Sequence, residues 1–169
     1  PNATFTVTNV ACNGGSTGSI AASSPNGGNS GAYTVSLNSG TYYSFPKTFS
    51  TLSAASYTLT VKDVSGCTKS YTVTVTEPTA LSISVSSSTN PTCWDGTDGS
   101  ITVSGSGGTS PYTYSKDGST YQTGTTFSNL ANGTYTIYTK DSSGCIRTNT
   151  TGLNRTQVTA STSQVNVTC

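Results

Sequence analysis

Hydrophobic and polar residues alternate in short runs along much of the chain. Leu81, Ile83 and Val85 are separated by serines in LSISVS (81–86). Tyr57, Leu59 and Val61 alternate with polar residues in SYTLTVKD (56–63), as do Tyr71, Val73 and Val75 in SYTVTVTE (70–77). A period of two puts one set of side chains on one face of an extended strand, so these runs predict strands with an apolar inner face and a hydroxyl-rich outer one. GSITVSG (99–105), PYTYSK (111–116) and TTFSNL (125–130) are shorter versions. Lys116-Asp117-Gly118-Ser119 predicts a tight hairpin turn, because Asp-Gly tolerates the positive φ that such turns need.

The runs also repeat. KDVSGC at 62–67 returns as KDSSGC at 140–145. CNGGSTGSI (12–20) aligns with CWDGTDGSI (93–101), AYTVS (32–36) with PYTYS (111–115), KTFSTL (47–52) with TTFSNL (125–130), and YTLTVKDVSGC (57–67) with YTIYTKDSSGC (135–145). The offset shrinks along the copies because the first has extra residues in a Gly/Asn-rich loop at 25–31. VNVTC (165–169) starts the pattern again. Fixed-period self-similarity marks repeated supersecondary units. About seven short strands per copy, at this turn spacing, predict an all-β chain of two tandem immunoglobulin-like β-sandwich repeats plus the first strand of a third. The expected bounds are 1–78, 79–157 and 158–169. LSAASY (52–57) and LANGTY (130–135) read as the corner leading into the sixth strand, where a Tyr caps a backbone group.

Glu77-Pro78-Thr79-Ala80 separates the copies, and a linker this short that contains proline is stiff. Composition narrows the function. Only 31% of residues are apolar and 8% charged, yet the net charge is +1 and there are ten Tyr and four Phe, so the chain lacks the high charge and aromatic poverty of disorder. Singly scattered basic residues exclude a nucleic-acid partner, and no apolar run is long enough to span a membrane. The N-terminus has no basic start or apolar stretch, so it is not a signal peptide; the chain reads as a piece of a longer, exported one.

Five cysteines among small, Ser/Thr-rich strands suggest disulfides and an oxidising compartment. Two pairings are open. The self-contained one, which we expect, joins Cys12 to Cys67 and Cys93 to Cys145 and leaves Cys169 for a partner in the next repeat. Strand parity favours Cys12 with Cys145, because the loops after strand one and before strand seven lie at opposite ends of a seven-strand sandwich.

Catalytic chemistry has little to stand on. There is no His, the commonest general base and metal ligand, and no two cysteines are close in sequence. Asp63 and Asp141 in the KDxSGC turns are expected to accept backbone N–H bonds, with Lys62 and Lys140 as solvated charges. Asp95 and Asp98 in DGTDG are a weak Ca²⁺ candidate, since calcium needs six to eight oxygens and the first copy has GGSTG there. Trp94 adjoins Cys93, and we expect it to cover a disulfide; with Tyr121 it is also the candidate glycan contact.

Read in order, C-x-G/D-G-x-x-G-S-I, P-Y-T-Y-S, F-S-N-L, G-T-Y-T, K-D-x-x-G-C and E-P-T-A-L resemble the SprB repeat. The second copy fits better; the first has Ala32 and Gly14 where the second has Pro111 and Asp95. The resemblance implies a repeat of a very large type IX-secreted surface or gliding adhesin, exported and anchored at the outer membrane of a bacterium or assembled into filaments. The expected function is therefore a non-enzymatic shaft segment without cofactors. Its partners would be neighbouring repeats, other copies in a filament, or a surface ligand. The competing reading is an extracellular carbohydrate-binding module using Trp94 and loop tyrosines.

Overall fold

The computed structural model describes residues 1–29 and 31–156, so the expected third copy at 158–169, with Cys169, lies outside the described residues. Among the described residues all regular structure is β. Two compact units divide the chain. One comprises Pro1–Leu81 with Gly107–Ser110 and Asp141–Cys145; the other comprises Ser82–Ser106, Pro111–Lys140 and the chain from Ile146.

The first unit carries β1 (Asn2–Thr8), β2 (Gly18–Asn26), β3 (Thr34–Leu37), β4 (Tyr43–Ser44), β5 (Lys47–Leu52), β6 (Ala55–Lys62) and β7 (Thr68–Val75). They form two antiparallel sheets, in the orders β1-β2-β5 and β4-β3-β6-β7. The alternation seen in the sequence sets the faces. Tyr57, Leu59 and Val61 of β6 are buried against Ile20, Val35, Phe49 and Val75 from both sheets, which is the core of a β-sandwich. The outward hydroxyls of β6 and β7 bond across the strands, Ser56 to Thr74 at 3.2 Å and Thr60 to Ser70 at 3.0 Å. The Ser/Thr-rich faces are thus laced by cross-strand pairs.

In the second unit, β8 (Ser82–Thr89), β9 (Gly99–Ser106), β10 (Tyr112–Ser115), β11 (Thr126–Leu130), β12 (Gly133–Asp141) and β13 (Ile146–Leu153) make sheets ordered β11-β9-β8 and β10-β12-β13. Its core gathers Ile101, Val103, Tyr114, Phe127, Leu130, Ile137 and Leu153. The first copy's two-residue β4 has no counterpart here; a single bridge pairs Tyr114 with Gln122 instead. The hairpin at Asp117-Gly118 is wider than the tight turn expected from the sequence. It encloses 115–121, and the Asp117 carboxylate accepts the Ser119 and Thr120 N–H groups, both at 2.8 Å.

The predicted corners are present in both copies. Tyr57 Oη donates to the Ser53 carbonyl at 3.0 Å, and Tyr135 Oη to that of Ala131 at 2.9 Å. Each anchors the start of the strand that ends in a KDxSGC turn.

The glycine of GSI is a packing requirement at both positions. A Cβ on Gly18 would lie 2.7 Å from both the Leu52 carbonyl oxygen and Val75 Cγ1; on Gly99 it would lie 2.7 Å from the Leu130 oxygen and 2.9 Å from Leu153 Cδ1. Backbone and core atoms cannot both give way cheaply. Gly99→Ala is therefore expected to lower the unfolding free energy by about 1–3 kcal/mol, the usual range for overpacking. Denaturant unfolding followed by tyrosine fluorescence would test this, and an unchanged midpoint would contradict it.

Candidate functional site

The repeated KDxSGC phrase folds into the same device twice. Asp63 is buried at the end of β6. Its Oδ1 accepts the N–H groups of Ser65 at 3.0 Å and Cys67 at 2.9 Å, and its Oδ2 accepts that of Asn29 at 3.1 Å. Asp141 does the same, with Ser143 at 3.0 Å and Cys145 at 2.8 Å on Oδ1 and Thr109 at 2.9 Å on Oδ2. In each turn the Asp N–H bonds the cysteine carbonyl at 3.0 Å, and the glycine takes the φ that other residues resist, 86° at Gly66 and 85° at Gly144. One carboxylate thus fixes both the cysteine turn and the glycine-rich loop facing it, 27–29 or 107–109.

The loop after the first strand is also built alike in both copies. Gly15 N–H bonds the Cys12 carbonyl at 2.9 Å, and Gly96 N–H the Cys93 carbonyl at 3.1 Å. The N–H one residue before each cysteine is capped by a side chain five positions beyond the cysteine: Thr17 Oγ1 for Ala11 at 2.9 Å, Asp98 Oδ1 for Thr92 at 2.9 Å. Asn9 Oδ1 accepts the Thr76 N–H at 3.0 Å, and Asn90 Oδ1 that of Asn154 at 3.1 Å, so this loop is tied to the residue following the last strand. In the first copy Glu77 adds bonds from Gly14 N–H at 2.6 Å and Asn13 Nδ2 at 2.9 Å.

Cys12 is bonded to Cys145, with Cα atoms 5.7 Å apart, and both residues belong to the first unit. Cys67 and Cys93 are exposed thiols. The expected self-contained pairing of Cys12 with Cys67 and of Cys93 with Cys145 is therefore corrected, and strand length explains why. Val10 N–H bonds the carbonyl of Thr76, just past the end of β7, whereas Cys67 precedes its first residue. Eight residues rising ~3.3 Å each separate the two loops by about 25 Å, far beyond disulfide reach.

Two other expectations change. Trp94 covers no disulfide, since Cys93 has none, and the residue is 51% exposed. It lines an open cleft of ≈ 390 Å³ with Ala131, Asn132, Gly133, Asn154 and Arg155, and the Asn132 amide donates to the Trp94 carbonyl. Tyr121 is not among the lining residues. The lysines of the repeated phrase are also not merely solvated: Lys140 Nζ stands 4.1 Å from the Tyr121 ring centre and Lys62 Nζ 4.3 Å from that of Tyr42. As for the calcium candidate, Thr92 donates to both Asp98 oxygens, from its N–H at 2.9 Å and from its hydroxyl at 2.7 Å, while Asp95 is exposed. Among the described residues no three His, Cys, Asp or Glu side chains gather into a metal site.

The SprB repeat family model matches residues 4–42 and 85–120, one stretch in each copy. Both copies thus match the SprB repeat family over part of their length. A sequence search of curated proteins finds no match. Among solved structures, the chain is similar to three N-terminal domains of the bacteriophage RB49 highly immunogenic outer capsid protein, Hoc. The identity is 15% and the TM-score 0.50, over 89% of this chain and 58% of that one. It also matches a C-terminal 282-residue fragment of intimin, solved with the intimin-binding domain of the translocated intimin receptor, at 16% identity and a TM-score of 0.47, over 90% of this chain and 64% of that one. The chain thus spans less than two thirds of either structure. The likeness to Hoc concerns fold alone. SprB repeats on an immunoglobulin-like scaffold fit an extracellular, adhesin-type segment, and no helix among the described residues could cross a membrane.

In these repeats the carboxylates that hold loops are the acid-sensitive parts. The Asn29 N–H, then those of Cys67 and Ser65, hold Asp63 below its ordinary value against the opposing effect of burial. The Thr92 hydroxyl and N–H lower Asp98, and the Ser115 hydroxyl with the Thr120 and Ser119 N–H groups lowers Asp117 strongly. A group whose pKa falls on folding stabilises the fold above its unfolded value, here near 3.8, and that contribution disappears as pH falls through the lower folded value. The thermal midpoint is therefore expected to drop as pH is lowered from 4 towards 2. Asp63→Asn should flatten part of that slope while lowering the midpoint at pH 7; a pH-independent midpoint across this interval would contradict the assignment.

Proposed function

We propose that this chain is a non-enzymatic, disulfide-stabilised spacer segment of a large bacterial cell-surface adhesin or filament. The observation that carries the reading is the bridge between Cys12 and Cys145, placed within duplicated SprB repeats and spanning 133 residues of sequence. A pull applied at the two ends of the chain passes through β1, this bond and β13, and bypasses β2 to β12. The short Glu77–Ala80 linker with its proline and the hydroxyl-rich, nearly neutral surface suit a stiff, soluble spacer. Neighbouring repeats and other copies are the partners this role requires, and the outer surface of the cell is its place.

Single-molecule stretching tests the mechanical part. At ~3.4 Å per extended residue, reducing the bridge is expected to add about 450 Å of releasable length, because the 133 residues it closes off become available to the force. Equal extension with and without reductant would end the load-bearing reading. At equilibrium, Cys12→Ser should lower stability by up to about 5 kcal/mol, the chain-entropy limit for a loop of this size.

The exposed Trp94 ring on a cleft beside Asn132, Asn154 and Arg155 supports a second reading, a carbohydrate-binding module, since an indole face stacks on sugar rings and amides bond their hydroxyls. A glycan array decides it. Binding that Trp94→Ala lowers at least tenfold favours the module, and absence of binding by the parent chain removes it.

A further inference from the structure

Cys67 and Cys93 do not sit in loose loops. Cys67 is held as Cys145 is, its N–H on the Asp63 carboxylate and its carbonyl on the Asp63 N–H. Cys93 is held as Cys12 is, its carbonyl on the glycine three residues on. The two exposed thiols therefore occupy the same two local frames as the two bonded sulfurs, with the opposite assignment of copies. The bond that forms runs from the loop after the first strand of one repeat to the turn before the last strand of the next.

We infer that Cys93 and Cys67 are the unfilled halves of further bridges in the same direction. Cys93 takes the KDxSGC cysteine of a repeat that follows, and Cys67 takes the first-loop cysteine of a repeat that precedes. The inference rests on the spacer reading only in assuming an array of such repeats. Each bridge forms by thiol–disulfide exchange with a disulfide oxidant. One cysteine thiolate attacks the oxidant's S–S bond and releases a thiol; the second attacks the mixed disulfide and releases the other. The two electrons and two protons end on the oxidant, and one new Sγ–Sγ bond remains.

This connectivity has a consequence that self-contained bridges would lack. The loop closed from 12 to 145 encloses residue 93, so the loop starting at Cys93 overlaps it. Along an array, every backbone segment between the first and last bridges lies inside at least one closed loop. A single cut in a linker then leaves the filament covalently whole. With bridges confined to single repeats, the same cut would sever it.

The test joins two copies of this chain, Gln157 of the first directly to Pro1 of the second, so that the second copy's Cys12 falls where Cys169 stood. The protein is oxidised with glutathione disulfide, free thiols are alkylated, and disulfide-linked peptides are mapped without reduction. A peptide joining Cys93 of the first copy to Cys67 of the second is expected, beside Cys12–Cys145 in each copy. Cys93→Ser in the first copy should leave the second copy's Cys67 alkylated and both Cys12–Cys145 bridges intact. Alkylation of both thiols in the parent fusion, or a Cys67–Cys93 bond inside one copy, overturns the inference. The stretching result on the single chain is independent of this map, so failure of one is distinguishable from failure of the other.

Discussion

The bonds from backbone N–H groups to the carboxylates of Asp63 and Asp141 organise each repeat around its cysteine. A buried carboxylate must be satisfied, and here three N–H groups do so, two from the cysteine turn and one from the loop across the sandwich. The turn glycine supplies the positive φ, the tyrosine corner fixes the other end of the strand, and the lysine beside the aspartate packs on a ring. Each element of KDxSGC thus has a physical job, and the joint result is a sulfur presented at a defined place.

That matters because these sandwiches have little else to spend on stability. Their cores are a handful of Ile, Leu, Val and aromatic side chains, and their outer faces are Ser and Thr. Cross-strand hydroxyl bonds contribute modestly. Small cores of this kind benefit from covalent closure, and closing 133 residues stabilises by only about 1 kcal/mol more than one loop inside a single repeat would, because the entropy grows with the logarithm of loop length.

The two cysteines of a repeat lie at opposite ends of an eight-residue strand, which divides their labour. Neither can reach the other, and the disulfide that forms among the described residues, Cys12 to Cys145, joins the first copy's loop to the second copy's turn. The Trp94 cleft stands apart from it: Trp94 occupies the position that Asn13, bonded to Glu77 and Pro78, takes in the first copy, so the indole that lines the cleft is particular to the second copy.

Local periodicity determined the strands, because a period of two with serine on one face permits one kind of packing, while the repeated phrases determined the duplication and their order carried the resemblance to the SprB repeat. Short phrases also determined the tyrosine corners and the turn bonds of Asp63 and Asp141, which act over a few residues of chain; the bonds to Asn29 and Thr109 were decided by the fold. The sulfur partners, the tyrosines under Lys62 and Lys140, and the exposure of Trp94 were decided only in three dimensions. Each joins residues far apart in sequence, where the distance across a sheet, and not the spacing along the chain, sets what can touch. From the sequence, self-contained pairing made Cys67 the expected partner of Cys12, while strand parity pointed to Cys145. The length of β7 excludes the first.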